Sequence, residues 1–188
     1  MIKYIIKLLR PNQWIKNLFI FGPIIFSNKF LNIDILKNNI LTFIAFCFIS
    51  STVYIMNDIV DVENDRKHPN KCKRPIASGK VSIPVAILIG IILCVTSLAI
   101  AFSLKFSILF IIIVYLINNI FYSFKIKNLV IIDVFSIALG FIFRVLAGSF
   151  ATGVLASDWI ILCTLFLSLF LGFGKRRNEV IFLGENAS

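Results

Sequence analysis

The chain has 188 residues, 59% hydrophobic and 15% charged, with 20 Phe and a mean hydropathy of +0.96. Soluble domains carry roughly 45–50% apolar and about 25% charged residues. A single water-soluble domain is therefore excluded, as is disorder, which requires low hydrophobicity. Lys and Arg outnumber Asp and Glu by 19 to 9. The bases flank long apolar runs, so they read as membrane topology and not as a nucleic-acid face.

The order along the chain is that of an all-α, polytopic transmembrane helix bundle. Met1–Arg10 is basic and apolar but lacks a small-residue cleavage site, so no removable signal peptide is expected. A spanning helix needs about 20 mostly apolar residues. Six are predicted: Gln13–Asn28, kinked at Pro23; Ile40–Met56; Ile83–Leu104; Phe106–Tyr122; Ile131–Val154; and Trp159–Gly174. They are apolar on every face and do not alternate, which argues against a transmembrane barrel. No linker interrupts them, so residues 1–188 read as one transmembrane domain, with a weak repeat of three helix pairs. Cys47, Cys72, Cys94 and Cys163 form no CxxC pair and point to neither a disulfide framework nor zinc.

With the N-terminus in the cytoplasm, fifteen bases fall inside, in the N-terminal segment and after the second, fourth and sixth helices. Only Lys29, Lys37 and Lys105 fall outside, and Arg144 lies within the fifth helix. This bias sets the expected orientation in the cell membrane.

Four of the nine acids cluster in Asn57-Asp58-Ile59-Val60-Asp61-Val62-Glu63-Asn64-Asp65. If the second helix continues through them, a turn of about 100° per residue puts Asp61 and Asp65 within about 60° of Asp58, with Glu63 about 140° away. Like charges on one face destabilise a helix, and a divalent cation between them would remove the conflict. Mg²⁺ takes one or two carboxylates plus phosphate oxygens. Arg66, Lys67, Lys71, Lys73 and Arg74 follow directly, as phosphate-binding cations would. His68, alone in its loop before Pro69, reads as structural.

NDIVDVENDRKHPNKCKRPIASG resembles the first aspartate-rich motif, NDxxDxxxD, of the UbiA superfamily of intramembrane prenyltransferases. RPNQWIKN (Arg10–Asn17) and YSFKIKNLVIIDVFSIALGFIFRVLAG (Tyr122–Gly148) resemble its decaprenyl-phosphate phosphoribosyltransferase branch. The superfamily has about nine helices and, in most members, a second acidic motif after the sixth. Here about six helices are expected, and the sixth is followed by a basic loop, Gly174-Lys175-Arg176-Arg177-Asn178-Glu179. The C-terminally incomplete bundle suggests a fragment, a split-gene product or a degenerate copy. The basic loop resembles the phosphoribosyltransferase branch.

The resemblance implies Mg²⁺ on Asp58, Asp61 and Asp65, which are the catalytic residues. It implies substrate contacts from Lys16, Asn17, Asn57, Arg66, Lys73, Arg74, Tyr122, Lys125, Lys127, Asp133, Arg144, Lys175, Arg176 and Glu179. Arg144 stands roughly 16 Å along its helix from Asp133. A charge at that depth costs about 2.5–3.5 kcal/mol and should face a cavity and an anion; the structural alternative is an ion pair with another helix. Asn118 and Asn119 suit interhelical hydrogen bonds, and Gly140 and Gly148 suit close packing. The implied reaction moves phosphoribose from phosphoribosyl diphosphate to a polyprenyl phosphate in the bilayer, giving a precursor of cell-envelope arabinose. The rivals are prenyl transfer to an aromatic acceptor and an inactive membrane fragment. Homo-oligomerisation stays open, and no nucleic-acid partner is expected.

Overall fold

The computed structural model describes residues 2–27, 29–126, 129 and 131–185, with the side chains of the last helix as far as Asn178. The described residues form α1 (Ile2–Leu9), a 3-10 segment (Pro11–Phe21), α2 (Gly22–Phe26), α3 (Ile33–Val60), α4 (Val62–Lys67), a 3-10 turn (Lys71–Lys73), α5 (Ile83–Leu104), α6 (Phe106–Phe124), α7 (Ile132–Thr152) and α8 (Asp158–Glu185). Five of these, α3, α5, α6, α7 and the Asp158–Asn178 part of α8, are long and apolar enough to cross a membrane. The protein is a multi-pass membrane protein.

The first of the six predicted spans is corrected. Residues 11–26 are a 3-10 segment followed by a five-residue α-helix, and Pro23 sits in the first turn of α2, not at the kink of a continuous helix. The 3-10 geometry rises about 2.0 Å per residue, so these sixteen residues still reach about 30 Å, the thickness of a hydrocarbon core. The last span is longer than predicted: α8 continues through the expected loop to Glu185.

Local chemistry sets the boundaries. Asn32 Oδ1 accepts from the amides of Asp34 (3.1 Å) and Ile35 (3.2 Å), capping α3. Lys105 is extended (φ −158°) and separates α5 from α6, and its amine donates to the Phe150 carbonyl at 3.0 Å. Gly153, at φ 67°, ends α7 in the left-handed conformation that favours glycine.

α3 and α7 form the inner layer, with 56% of each span buried against 22% for α5, 28% for α6 and 11% for α8. The outer helices turn large apolar side chains such as Leu88, Phe110, Phe166 and Phe170 outward, which suits a lipid surround. Hydroxyl and amide side chains tie the outer helices to the inner ones, as expected where lipid gives no hydrophobic drive to association. Ser97 Oγ donates to the Ala45 carbonyl (2.8 Å), and Thr52 Oγ1 to the Gly90 carbonyl (3.3 Å). Asn118 Nδ2 donates to the Ser136 carbonyl and its Oδ1 accepts from Ser136 Oγ, both at 3.1 Å. Asn118 is thus interhelical as predicted, whereas Asn119 donates within its own helix to the Tyr115 carbonyl at 2.7 Å.

Gly148 is where α7 meets the 3-10 segment. A Cβ there would stand 1.9 Å from the Ile20 carbonyl oxygen, a backbone atom that cannot rotate away. Gly148→Ala is therefore expected to destabilise by at least the 1–3 kcal/mol of about one overpacked methyl. Gly90→Ala, whose added carbon would meet only Ile55 Cγ2 at 3.6 Å, is expected to be neutral or to stabilise by up to about 1 kcal/mol. Thermal midpoints of the two variants in detergent check the contrast.

Candidate functional site

Where α3 ends, a cavity of about 450 Å³ is lined by Arg10, Tyr54, Asn57, Asp58, Asp61, Asn64, Asp65, His68, Lys71, Arg74, Tyr122, Lys175 and Arg176. The acids do not lie on one unbroken helix. The helix breaks at Asp61 (φ −95°, ψ 8°). The backbone bonds nevertheless carry across the joint, from Asp61 N to Asn57 O (3.0 Å) and from Asp65 N to Asp61 O (2.8 Å). The helical phase survives, so Asp58, Asp61 and Asp65 line one cavity while Glu63 is exposed.

The repulsion between the acids is answered by arginine. Arg74 Nη1 donates to Asp58 Oδ1 at 3.1 Å and to Asp65 Oδ2 at 2.6 Å, and Arg10 forms a second ion pair with Asp58 Oδ1. Arg10 is held in the left-handed region (φ 52°, ψ 57°). That conformation costs a non-glycine residue about 1–2 kcal/mol, and it is maintained where the guanidinium also stacks 5.0 Å from the Tyr54 ring centre. Asp58 and Asp65 are 1% and 3% exposed. His68 Nδ1 accepts from the amides of Asn70 (3.1 Å) and Lys71 (3.3 Å), so its role is to shape the turn.

A smaller chamber of about 180 Å³ shares Tyr54, Asn57, Tyr122 and Lys175 with the first and continues to Lys16, Tyr115, Asn119, Ser136 and Arg144. Three bases and no acid line it. Arg144 is 5% exposed. Its Nε donates to Asn17 Oδ1 (2.7 Å), Nη1 to the Gly140 carbonyl (2.6 Å) and Nη2 to Tyr115 Oη (3.1 Å). Its guanidinium carbon also lies 4.9 Å from the Tyr115 ring centre. Among the described residues Arg144 is paired with no carboxylate, and it lines the smaller chamber. Asn17 is itself fully buried, with Nδ2 donating to Ser50 Oγ at 3.3 Å. It orients Arg144 and does not line the cavity.

The remaining predicted residues divide. Asn57 lines both chambers, and its Oδ1 accepts from Ser123 Oγ. Lys175 and Arg176 do reach the cavity, but from the helical turn Gly174–Asn178 of α8 and not from a loop. Asp133 is fully buried and ion-paired with Arg176; it ties α7 to α8 and lines neither chamber. Arg66, Lys73 and Lys125 are exposed and line neither chamber. Lys127 and the Glu179 side chain lie outside the described residues. The sequence reading misses Arg10, Tyr54, Asn64, Tyr115 and Asn119 as wall residues. Two signals were available: Arg10 opens the RPNQWIKN motif, and Tyr54 stands one helical turn before Asp58.

Residues 20–176 match the model of the UbiA prenyltransferase family. The chain belongs to this family. A decaprenyl-phosphate phosphoribosyltransferase of Mycobacterium tuberculosis is 33% identical over 180 residues, covering 94% of this chain and 60% of that protein. One from Corynebacterium glutamicum is 34% identical, covering 94% and 54%. The chain thus spans somewhat over half the length of these relatives. The solved structure of a UbiA homologue from Archaeoglobus fulgidus bound to DMAPP and Mg²⁺ superposes with a TM-score of 0.76 at 24% identity, over 89% of this chain and 60% of that one. A structure described for digeranylgeranylglyceryl phosphate synthase gives 0.74 at 26% identity, over 93% and 61%. These neighbours show the UbiA fold.

Among the described residues no three His, Cys, Asp or Glu side chains converge as a closed cage. Mg²⁺ does not require one, since it is commonly held by one or two carboxylates together with phosphate oxygens. Asp58 Oδ2 is buried without a hydrogen-bond partner, and an orphaned carboxylate oxygen of this kind needs a cation or donor. The donor set is therefore compatible with a metal that arrives with its phosphate ligand.

Arg144 meets three neutral acceptors in different directions, which a single ammonium cannot reproduce. Arg144→Lys is expected to lower stability by about 1–3 kcal/mol, read as a lower thermal midpoint in detergent. Asn17→Ala is expected to lower it in the same way, through the same lost hydrogen bond.

Proposed function

We propose that this chain carries a site for transfer of phosphoribose from phosphoribosyl diphosphate to a polyprenyl phosphate at the cytoplasmic face of the cell membrane, within a single transmembrane domain. One observation carries the reading. The cavity that holds Asp58, Asp61 and Asp65 is also walled by five bases, Arg10, Lys71, Arg74, Lys175 and Arg176, and opens into an acid-free chamber with Lys16 and Arg144. A site meant for one diphosphate and an aromatic acid, which adds a single carboxylate, has less need of so much positive charge. A site where a donor 5-phosphate, a diphosphate and a lipid phosphate meet has that need. The names of the mycobacterial and corynebacterial relatives support the same reading.

One or two of Asp58, Asp61 and Asp65, together with phosphate oxygens, would hold Mg²⁺, which when bound supplies charge neutralisation on the diphosphate. Arg74, Lys71 and Lys175 line the same cavity and would take diphosphate oxygens. Arg144 and Lys16 would hold the acceptor phosphate in the inner chamber. A phosphate oxygen of the lipid then attacks C1 of the ribose as the C1–O bond to diphosphate breaks, with inversion. The diphosphate leaves with the bonding electrons. The nucleophile is already an anion, so no general base is needed, and in-line positioning supplies much of the rate. An apolar groove of about 580 Å³ between residues 18–26 and α8 suits the head end of the lipid tail. Phe19 of that groove and Phe141 of the inner chamber stack edge-to-face at 5.1 Å, so the two spaces adjoin.

Membranes carrying the protein should pass label from phosphoribosyl diphosphate into polyprenyl phosphate and none from prenyl diphosphate into an aromatic acid. The reverse pattern overturns the substrate assignment, and no transfer from either donor overturns an enzymatic role for this chain by itself. Asp58→Asn and Asp61→Asn are each expected to reduce transfer at least about 100-fold with membrane insertion unchanged. Near-normal turnover by either variant removes the proposed metal role.

A further inference from the structure

We propose that Arg74 is a built-in counter-cation of the aspartate cluster, which a divalent metal must displace in order to bind and which then turns to the arriving diphosphate. The inference rests on the metal–diphosphate reading above and adds a coupling between the two ligands that the fold itself imposes.

A single nitrogen, Arg74 Nη1, sits between two carboxylates on different helices, 3.1 Å from Asp58 Oδ1 and 2.6 Å from Asp65 Oδ2. That is the task of a bridging cation. Both carboxylates are almost wholly buried, and without a cation their repulsion in a low dielectric would be severe. Arg10 contributes a second positive charge, but to the same oxygen of Asp58. Asp58 Oδ2 is left buried and unpartnered, so the cluster keeps one oxygen that neither arginine satisfies.

Arg74 is suited to exchange. Among the described residues its Nε and Nη2 have no hydrogen-bond partner, and its side chain is 28% exposed at the cavity wall. Its backbone, by contrast, is fixed. Ile76 and Val81 are buried in a cluster with Leu8, Ile55 and Ala86. The turn is closed from Ser78 N to Arg74 O (2.9 Å) and from Val81 N to Pro75 O (3.0 Å). When released, the guanidinium swings about a fixed anchor and stays beside the diphosphate. Free metal must therefore compete with a tethered cation, whereas diphosphate gives that cation a new partner. Each ligand raises the affinity for the other by the same factor.

The test uses the full chain in detergent with Mn²⁺ and inorganic pyrophosphate as probes. Mn²⁺ binding alone is read by electron paramagnetic resonance, and retention of radiolabelled pyrophosphate is read with and without Mn²⁺. Arg74→Gln is expected to bind Mn²⁺ alone about tenfold more tightly than wild type, while the gain in pyrophosphate affinity caused by Mn²⁺ falls about tenfold. Lys73→Gln removes the same charge one residue away, from a side chain that lines neither chamber. It should change either quantity less than about twofold, as a screened surface charge does. Arg74→Lys keeps the charge should the Gln variant not fold. Its affinity for Mn²⁺ alone is expected to match wild type, with the coupling reduced about fivefold. Unchanged or weaker Mn²⁺ binding by Arg74→Gln, or full coupling in Arg74→Lys, overturns the inference and leaves the metal–diphosphate reading standing. If no variant nor wild type binds Mn²⁺ even with pyrophosphate, that reading itself fails, and the inference with it.

Discussion

Three carboxylates at the buried end of a membrane helix repel one another, and the arrangement around them follows from how that repulsion is contained. Asp58 and Asp65 are drawn together across the break at Asp61 by one guanidinium, with a second arginine on Asp58. To deliver Arg10, the chain accepts a left-handed backbone between α1 and the 3-10 segment. To deliver Arg74, the loop after the 3-10 turn folds back and buries Ile76, Ala77 and Val81. The segment that carries Arg10, distant in sequence, and the loop that carries Arg74, just after the acids, are thus both brought to the cluster. Strain and burial of this kind are commonly concentrated at functional sites.

A second constraint lies deeper. Arg144 is a cation inside the helical layer, and among the described residues no carboxylate meets it. Its charge is spread over an asparagine, a backbone carbonyl, a tyrosine hydroxyl and the face of that tyrosine's ring. Neutral partners leave the positive potential in the chamber uncancelled, which suits binding an anion more than it suits stability. Asn17 has no room for another role, since both ends of its amide are engaged, by Arg144 on one side and by Ser50 and Cys47 on the other. The contact of Gly148 with the Ile20 carbonyl holds α7 against the segment that presents Asn17, so packing and electrostatics at this depth depend on the same backbone approach.

The basic turn within α8 links the two regions. Lys175 lines both chambers and Arg176 lines the outer one, while Arg176 also pairs with Asp133 at the start of α7. As part of a helix, these bases have a fixed direction that a solvated loop would not give them. The Asp133–Arg176 pair explains how an acid in a matched motif can matter without touching either chamber.

Much of this was legible in the sequence. Uncharged runs of about twenty residues are spans whatever surrounds them, because lipid leaves a backbone no other way to satisfy its polar groups; hence Ile83–Leu104 was bounded to the residue. The period of 3.6 likewise put Asp58, Asp61 and Asp65 on one side, and the helical phase survives the break. What the sequence could not show was the partner of each charge. The bases after the acid motif all looked alike, yet Arg74 enters the cavity while Arg66 and Lys73 face away, a choice made by the burial of Pro75–Ala77. Nor could it show that Pro11–Phe21 would wind as a 3-10 segment, or that α8 would run through its basic turn. Local propensity is nearly neutral at those positions, and contacts with α7, which is distant in sequence, decide the outcome. Sequence alone determined which residue types gather at the membrane surface, because periodicity and hydropathy are local. Only the tertiary structure decided which of them meet, because an ion pair depends on distance in space and not on spacing along the chain.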